Sequence, residues 1–154
     1  MSNVDLTELT PEDQIRDDDE VETIALRKLL DEAVGYVSKF RWCPPIHSKY
    51  MGFGIGGVIG VFLIKFTDPI QNSHDTELWV ITGDLPSAYL VTEKAPDTDT
   101  ALRIYCALMR DWIKAVESAS SLDKVYPVLA APTQENATLL RKRIDFIETE
   151  FILS

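Results

Sequence analysis

Residues 51–66, MGFGIGGVIGVFLIKF, constrain the fold of this chain more than any other stretch. They form its longest apolar run and hold five of its seven glycines: Gly52, Gly54, Gly56, Gly57 and Gly60. The run has sixteen residues and carries Lys65 near its end. That is too short for a membrane helix, which needs about twenty apolar residues. Glycine also disfavours a helix interior, so the stretch reads as strand. With a period of two, Phe53, Ile55, Ile59, Val61 and Leu63 share one face, and Gly52, Gly54, Gly56 and Gly60 share the other with Val58, Phe62 and Ile64. A strand face this bare lets a helix, another backbone or a ligand come close. Two geometries fit: one long bent strand, or two strands joined at the hairpin signal Gly56-Gly57. The β-branched and aromatic residues of 58–66 favour a glycine-rich approach into one firm strand covered on both sides. A phosphate-binding loop fits poorly. Such loops sit at strand-to-helix turns, whereas here the glycines lead into a strand and no Lys-Ser or Lys-Thr follows.

Charge divides the chain of 154 residues unevenly. Residues 1–22 hold nine acids and one base, Arg16, for a net charge of −8, whereas the whole chain carries −10. Residues 1–18 read as an acidic flexible arm and residues 19–154 as a single α+β domain. An acidic chain is a poor candidate for nucleic acid or anionic membrane. The polar, acidic N-terminus lacks the pattern of a secretory signal. Cys43 and Cys106 match no metal or redox spacing. Together these features point to a cytoplasmic protein with reduced thiols.

The first helix is expected over residues 19–40, with Leu26, Leu29, Leu30, Ala33, Val37 and Phe40 on one face. Pro44-Pro45 stops it. After the polar loop 67–76 comes a hairpin: strand 77–82, turn 83–86 and returning strand 87–92. With 58–66 it makes a three-stranded antiparallel meander. A helix over 98–118 carries Leu102, Tyr105, Met109, Trp112 and Ile113 on a broad apolar face. It is the expected cover of the glycine side. Residues 125–129 read as a fourth strand, confined to an edge by Pro127. A last helix starts after Thr133 as cap. The expected fold is therefore α+β, with a meander packed against a long N-terminal helix and two C-terminal helices.

The run Trp79-Val80-Ile81-Thr82-Gly83-Asp84-Leu85-Pro86, followed by Tyr89 and an Ala-Leu-Arg helix start, resembles a family of small bacterial proteins of unknown function. The resemblance covers roughly residues 58–120, and the Gly-Asp-Leu-Pro turn is its most specific element. It implies the order hairpin then helix, and it implies no activity.

No HExxH, paired CxxC, GxSxG, P-loop or EF-hand pattern is present. Cys43 and His47 are separated by two prolines that keep them off a common face, and His74 has no second ligand at useful spacing. No metal or cofactor is expected, and enzymatic activity is the less favoured reading. The leading expectation is a non-catalytic protein-binding module: a small acidic bacterial adaptor or immunity-like inhibitor. It would meet a basic partner through Asp13, Asp17, Asp18, Asp19 and Glu20. The alternative is a small-molecule-binding protein or enzyme with a groove at the glycine-rich strand, lined by Gly52, Gly54, Gly56, Tyr89, Tyr105 and Trp112. An exposed aromatic patch around Trp42 or Trp79 is compatible with a homodimer.

Overall fold

A computed structural model describes residues 3–152. The fold is α+β. Five strands form one antiparallel sheet in chain order: β1 (Thr10–Pro11), β2 (Ile46–Ile55), β3 (Ile59–Phe66), β4 (Glu77–Gly83) and β5 (Ala88–Val91). Three helices accompany them: α1 (Glu20–Ser38), α2 (Thr98–Glu117) and α3 (Gln134–Ile147). Contacts divide the chain into two compact units, one through Ala101 and one from Leu102, with the boundary inside α2, where composition marks no linker.

The glycine-rich stretch is a hairpin, and this corrects the preferred reading. The approach to the firm strand is itself a ten-residue strand, β2, paired with β3 from Ile46↔Phe66 to Ile55↔Ile59. Val58 N–H donates to the Ile55 carbonyl across the turn at 3.0 Å. Gly57 takes φ +76° there, a left-handed conformation that glycine adopts without steric cost. β2 carries irregularities between Ile46 and Ser48 and between Met51 and Phe53. The second breaks the simple alternation. A Cβ on Gly52 would collide with Thr98, at the start of α2, whereas one on Gly54 would lie 2.8 Å from Leu26 Cδ2 of α1.

At Gly54, Gly56 and Gly60 the cover is α1, where the later helix was the expected one; Thr98 of α2 meets Gly52. Glu22 and Ala25 occupy the space beside Gly56, and Leu29 lies near Gly60. Glu22 Oε2 also accepts from the Gly56 N–H at 2.9 Å. Leu26, Leu29, Leu30, Ala33 and Val37 are buried with Phe62, Ile64, Phe66, Leu78 and Val80 of β3 and β4. Thr82 Oγ1 secures the helix by donating to the buried Leu29 carbonyl at 3.0 Å. Side chains on both faces of β3 and β4 are buried, as expected for strands apolar on both sides.

The N-terminal segment lies along the sheet, contrary to the expected arm. Asn3 donates its side-chain amide to the Thr92 carbonyl beside β5. Seven residues later Thr10 pairs with Met51 of β2, so the segment crosses from one sheet edge to the other. Val4, Leu9 and Ile15 are buried, Ile15 at 0% exposure. The segment has few apolar residues, but these are enough to anchor it against an existing core.

In the second unit, Arg110 of α2 meets Asp145 and Glu148, and Arg141 of α3 meets Glu117 of α2. The expected strand at 125–129 does not form. That segment is irregular, Pro127 offers no ladder donor, and Leu129 is 86% exposed. Among the described residues, no helix is long and apolar enough to cross a membrane.

Candidate functional site

At the C-terminal end of α1 four aromatic rings converge on the sheet's outermost strand. The apolar periodicity of α1 brings Tyr36 and Phe40 to its end, and the chain turns there to add Trp42. Phe40 and Trp42 stack at 5.0 Å between centroids with planes 16° apart. Tyr89 of β5 packs edge-on against both, at 5.4 Å from Phe40 and 5.0 Å from Trp42. Tyr36 joins edge-on to Phe40 at 5.3 Å, and Lys39 Nζ lies 5.5 Å from the Tyr36 centroid. All four rings are half-buried.

Beside this cluster lies a hollow of about 410 Å³. Its apolar wall comes from Trp42, Ile70, Leu78, Tyr89 and Val91, and its polar rim from Gln71, Asn72, Ser73 and Asp75. The rim is the 67–76 loop, folded by its own hydrogen bonds. Ile70 N–H donates to the Asp75 carbonyl at 2.8 Å, and Asp75 N–H donates to Ser73 Oγ at 2.9 Å. Asn72 accepts a left-handed φ of +64°, which asparagine tolerates. An apolar wall with a few placed polar groups is the usual composition of a recognition pocket.

The residues singled out from sequence fall elsewhere. Asp19 caps α1 by accepting from the Val21 N–H at 2.9 Å, and Asp17 accepts from the Asp19 N–H at 2.9 Å. These two carboxylates fold the helix start. Asp13, Asp18 and Glu20 are exposed nearby. Side chains of α1 stand against Gly54 and Gly56, where the glycine groove was expected. Tyr105 and Trp112 are buried residues of the second unit. Of the residues proposed for that groove, Tyr89 lines the aromatic hollow, together with Trp42. Trp79 offers no patch: it is fully buried and donates Nε1–H to the Ala95 carbonyl at 2.8 Å.

Cys43 Sγ donates to the Pro44 carbonyl at 3.3 Å, and burial pushes its thiol pKa up. A nucleophilic cysteine needs the opposite shift. The His47 ring engages Ser48 Oγ at 3.1 Å. Sequence reading missed Phe40 and Tyr36 as site residues, because helical spacing assigns such aromatics to a core. The available signal was Phe40-Arg41-Trp42 running past the helix end, where a continuous core face stops.

The architecture is thus an antiparallel meander with one long helix on its glycine face and an aromatic hollow at its β5 edge. Comparison with known proteins gives no match: no family model, no curated protein and no solved structure aligns significantly with the chain.

Proposed function

We propose that this protein is a non-catalytic binding module, an adaptor or immunity-like inhibitor, that holds an extended segment of a protein partner along β5. The observation that carries this reading is the half-buried Trp42–Tyr89 pair lining a hollow on the outermost strand. A segment added beside β5 gains backbone hydrogen bonds from the strand edge, and every second side chain points to the face bearing Tyr89 and Val91. Tryptophan and tyrosine in such hollows are the residue types that dominate binding energy. The test is selection of displayed peptides on the full chain. Selected peptides should carry an aromatic or long aliphatic anchor, and Trp42→Ala should weaken them about 30-fold, for a hot-spot loss of about 2 kcal/mol. Equal binding by wild type and a folded Trp42→Ala variant would refute this interface.

A second reading is supported by the volume of the same hollow. About 410 Å³ lies within the range of small-molecule sites, so an apolar ligand rather than a peptide is the alternative occupant. Thermal stabilisation of wild type but not Trp42→Ala by an apolar compound, with no peptide selected, would favour it.

A further inference from the structure

The opposite face of the same sheet end holds a feature that the hollow does not use. Glu77 opens β4 and is only 4% exposed. Its Oε1 lies 3.4 Å from Nζ of Lys65, its cross-strand partner on β3. Its Oε2 is buried and has no hydrogen-bond partner among the described residues. Burying a charged oxygen without a donor is costly, so such a group points to something that completes it.

Glu77 lines a pocket of about 270 Å³ with Asn3, His74, Asp75, Thr92 and Glu93. Three carboxylates therefore border one small space. The Asn3 amide already donates to the Thr92 carbonyl, and ionised carboxylates can only accept. The pocket is thus rich in acceptors and negative charge, and Lys65 offsets only part of that charge. Among the described residues no three His, Cys, Asp or Glu side chains converge to hold a metal ion. A donor-rich organic cation fits this chemistry better than a metal.

We propose that this pocket binds an ammonium or guanidinium group, with Glu77 Oε2 as the buried acceptor and Asp75 and Glu93 as flanking charges. The proposal deepens the reading above. Leu78 and Val91 line the hollow, whereas their chain neighbours Glu77 and Thr92 line the pocket, so the two sites lie on opposite faces of the sheet, with Asp75 bordering both. An extended segment with alternating side chains would deliver an apolar group to one and a basic group to the other. A free amine would offer the same chemistry.

The experiment is an NMR titration of the ¹⁵N-labelled full chain at low salt with n-butylammonium and methylguanidinium, using n-butanol as the neutral control. Saturable shifts at residues 74–77 and 92–93 are expected with both cations and not with butanol. Glu77→Gln keeps the side-chain size and should weaken both cations at least tenfold. A second arm compares a selected basic peptide with its norleucine version. A tenfold loss identifies a partner side chain as the source of the cation. Cation binding without peptide discrimination identifies a free amine, and the peptide reading then fails while the pocket stands. Absent saturation, equal binding by Glu77→Gln, or equal binding of butanol would overturn the proposal. Should Glu77→Gln not fold, Glu93→Gln at the exposed rim should still weaken the cations several-fold, and an unchanged affinity would equally overturn it.

Discussion

Replacing Gly83 by alanine should destabilise this protein severely, and the structure shows why. Gly83 ends β4 at φ +142°, a region essentially closed to other residues. Holding alanine there costs about 1–3 kcal/mol. A Cβ would also collide with the Val58 carbonyl oxygen and lie 2.8 Å from Ile59 Cα. Both are backbone atoms of the adjoining turn and strand, so no side chain can swing aside. Relief requires the two segments to separate, which breaks the 2.9 Å bond from Asp84 N–H to that same Val58 carbonyl. That loss adds about 1 kcal/mol. The expected total is about 2–4 kcal/mol, a large fraction of the 5–15 kcal/mol typical of a native protein. In urea unfolding followed by circular dichroism, the midpoint should fall by about 1–2 M for a slope near 2 kcal/mol/M. Two companion variants isolate the cause. Gly57 also has positive φ, but nothing lies within 4 Å of its Cβ position, so Gly57→Ala should cost only about 1–2 kcal/mol. Gly35 lies inside α1 with open space and ordinary φ, so Gly35→Ala should stabilise by up to about 1 kcal/mol. A Gly83→Ala midpoint equal to or above that of Gly57→Ala would refute the steric reasoning.

Two further predictions follow from local chemistry. Hydrogen bonds from Thr100, including its N–H at 2.7 Å, hold the Asp97 carboxyl below its ordinary pKa. A depressed carboxyl contributes stability that is present above the unfolded pKa, about 3.9, and lost as pH falls through the lower folded value. Asp97→Ala removes the acceptor for the Thr100 N–H at the start of α2, which should cost about 1 kcal/mol at pH 7, and thermal melts should show the gap to wild type narrowing below about pH 4. In the second unit, burial and then the Glu148 charge push the Cys106 thiol up to about 12, with Arg110 opposing. A thiol reagent at pH 8 should modify Cys43 slowly and Cys106 only on unfolding, as read by mass spectrometry; rapid native labelling of Cys106 would contradict its burial.

Local chemistry in the sequence was enough to place much of the secondary structure. The apolar spacing from Leu26 to Val37 defines α1, and Thr133 caps α3 by accepting from the Asn136 N–H at 3.1 Å. The β-branched runs around Gly-Asp-Leu-Pro define β4 and β5. These signals act over a few residues, so they survive without knowledge of the fold. The extent of β2 was hidden because Gly52 and Gly54 carry no side chains to form a period, and the break after Met51 disrupts what alternation exists. Acidic composition suggested a detached N-terminal arm, but three buried apolar side chains hold the segment on the sheet. The two tryptophans suggested as one kind of surface feature part company: Trp79 is sealed inside, while Trp42 builds the hollow with residues 28 to 49 positions away. Glu77 reads as an ordinary strand-opening charge, and its depth depends on Lys65, Thr92 and Asn3 being brought around it. Which face a helix covers and how deeply a carboxylate sinks depend on contacts between distant segments, and such contacts leave no periodic mark in either segment alone.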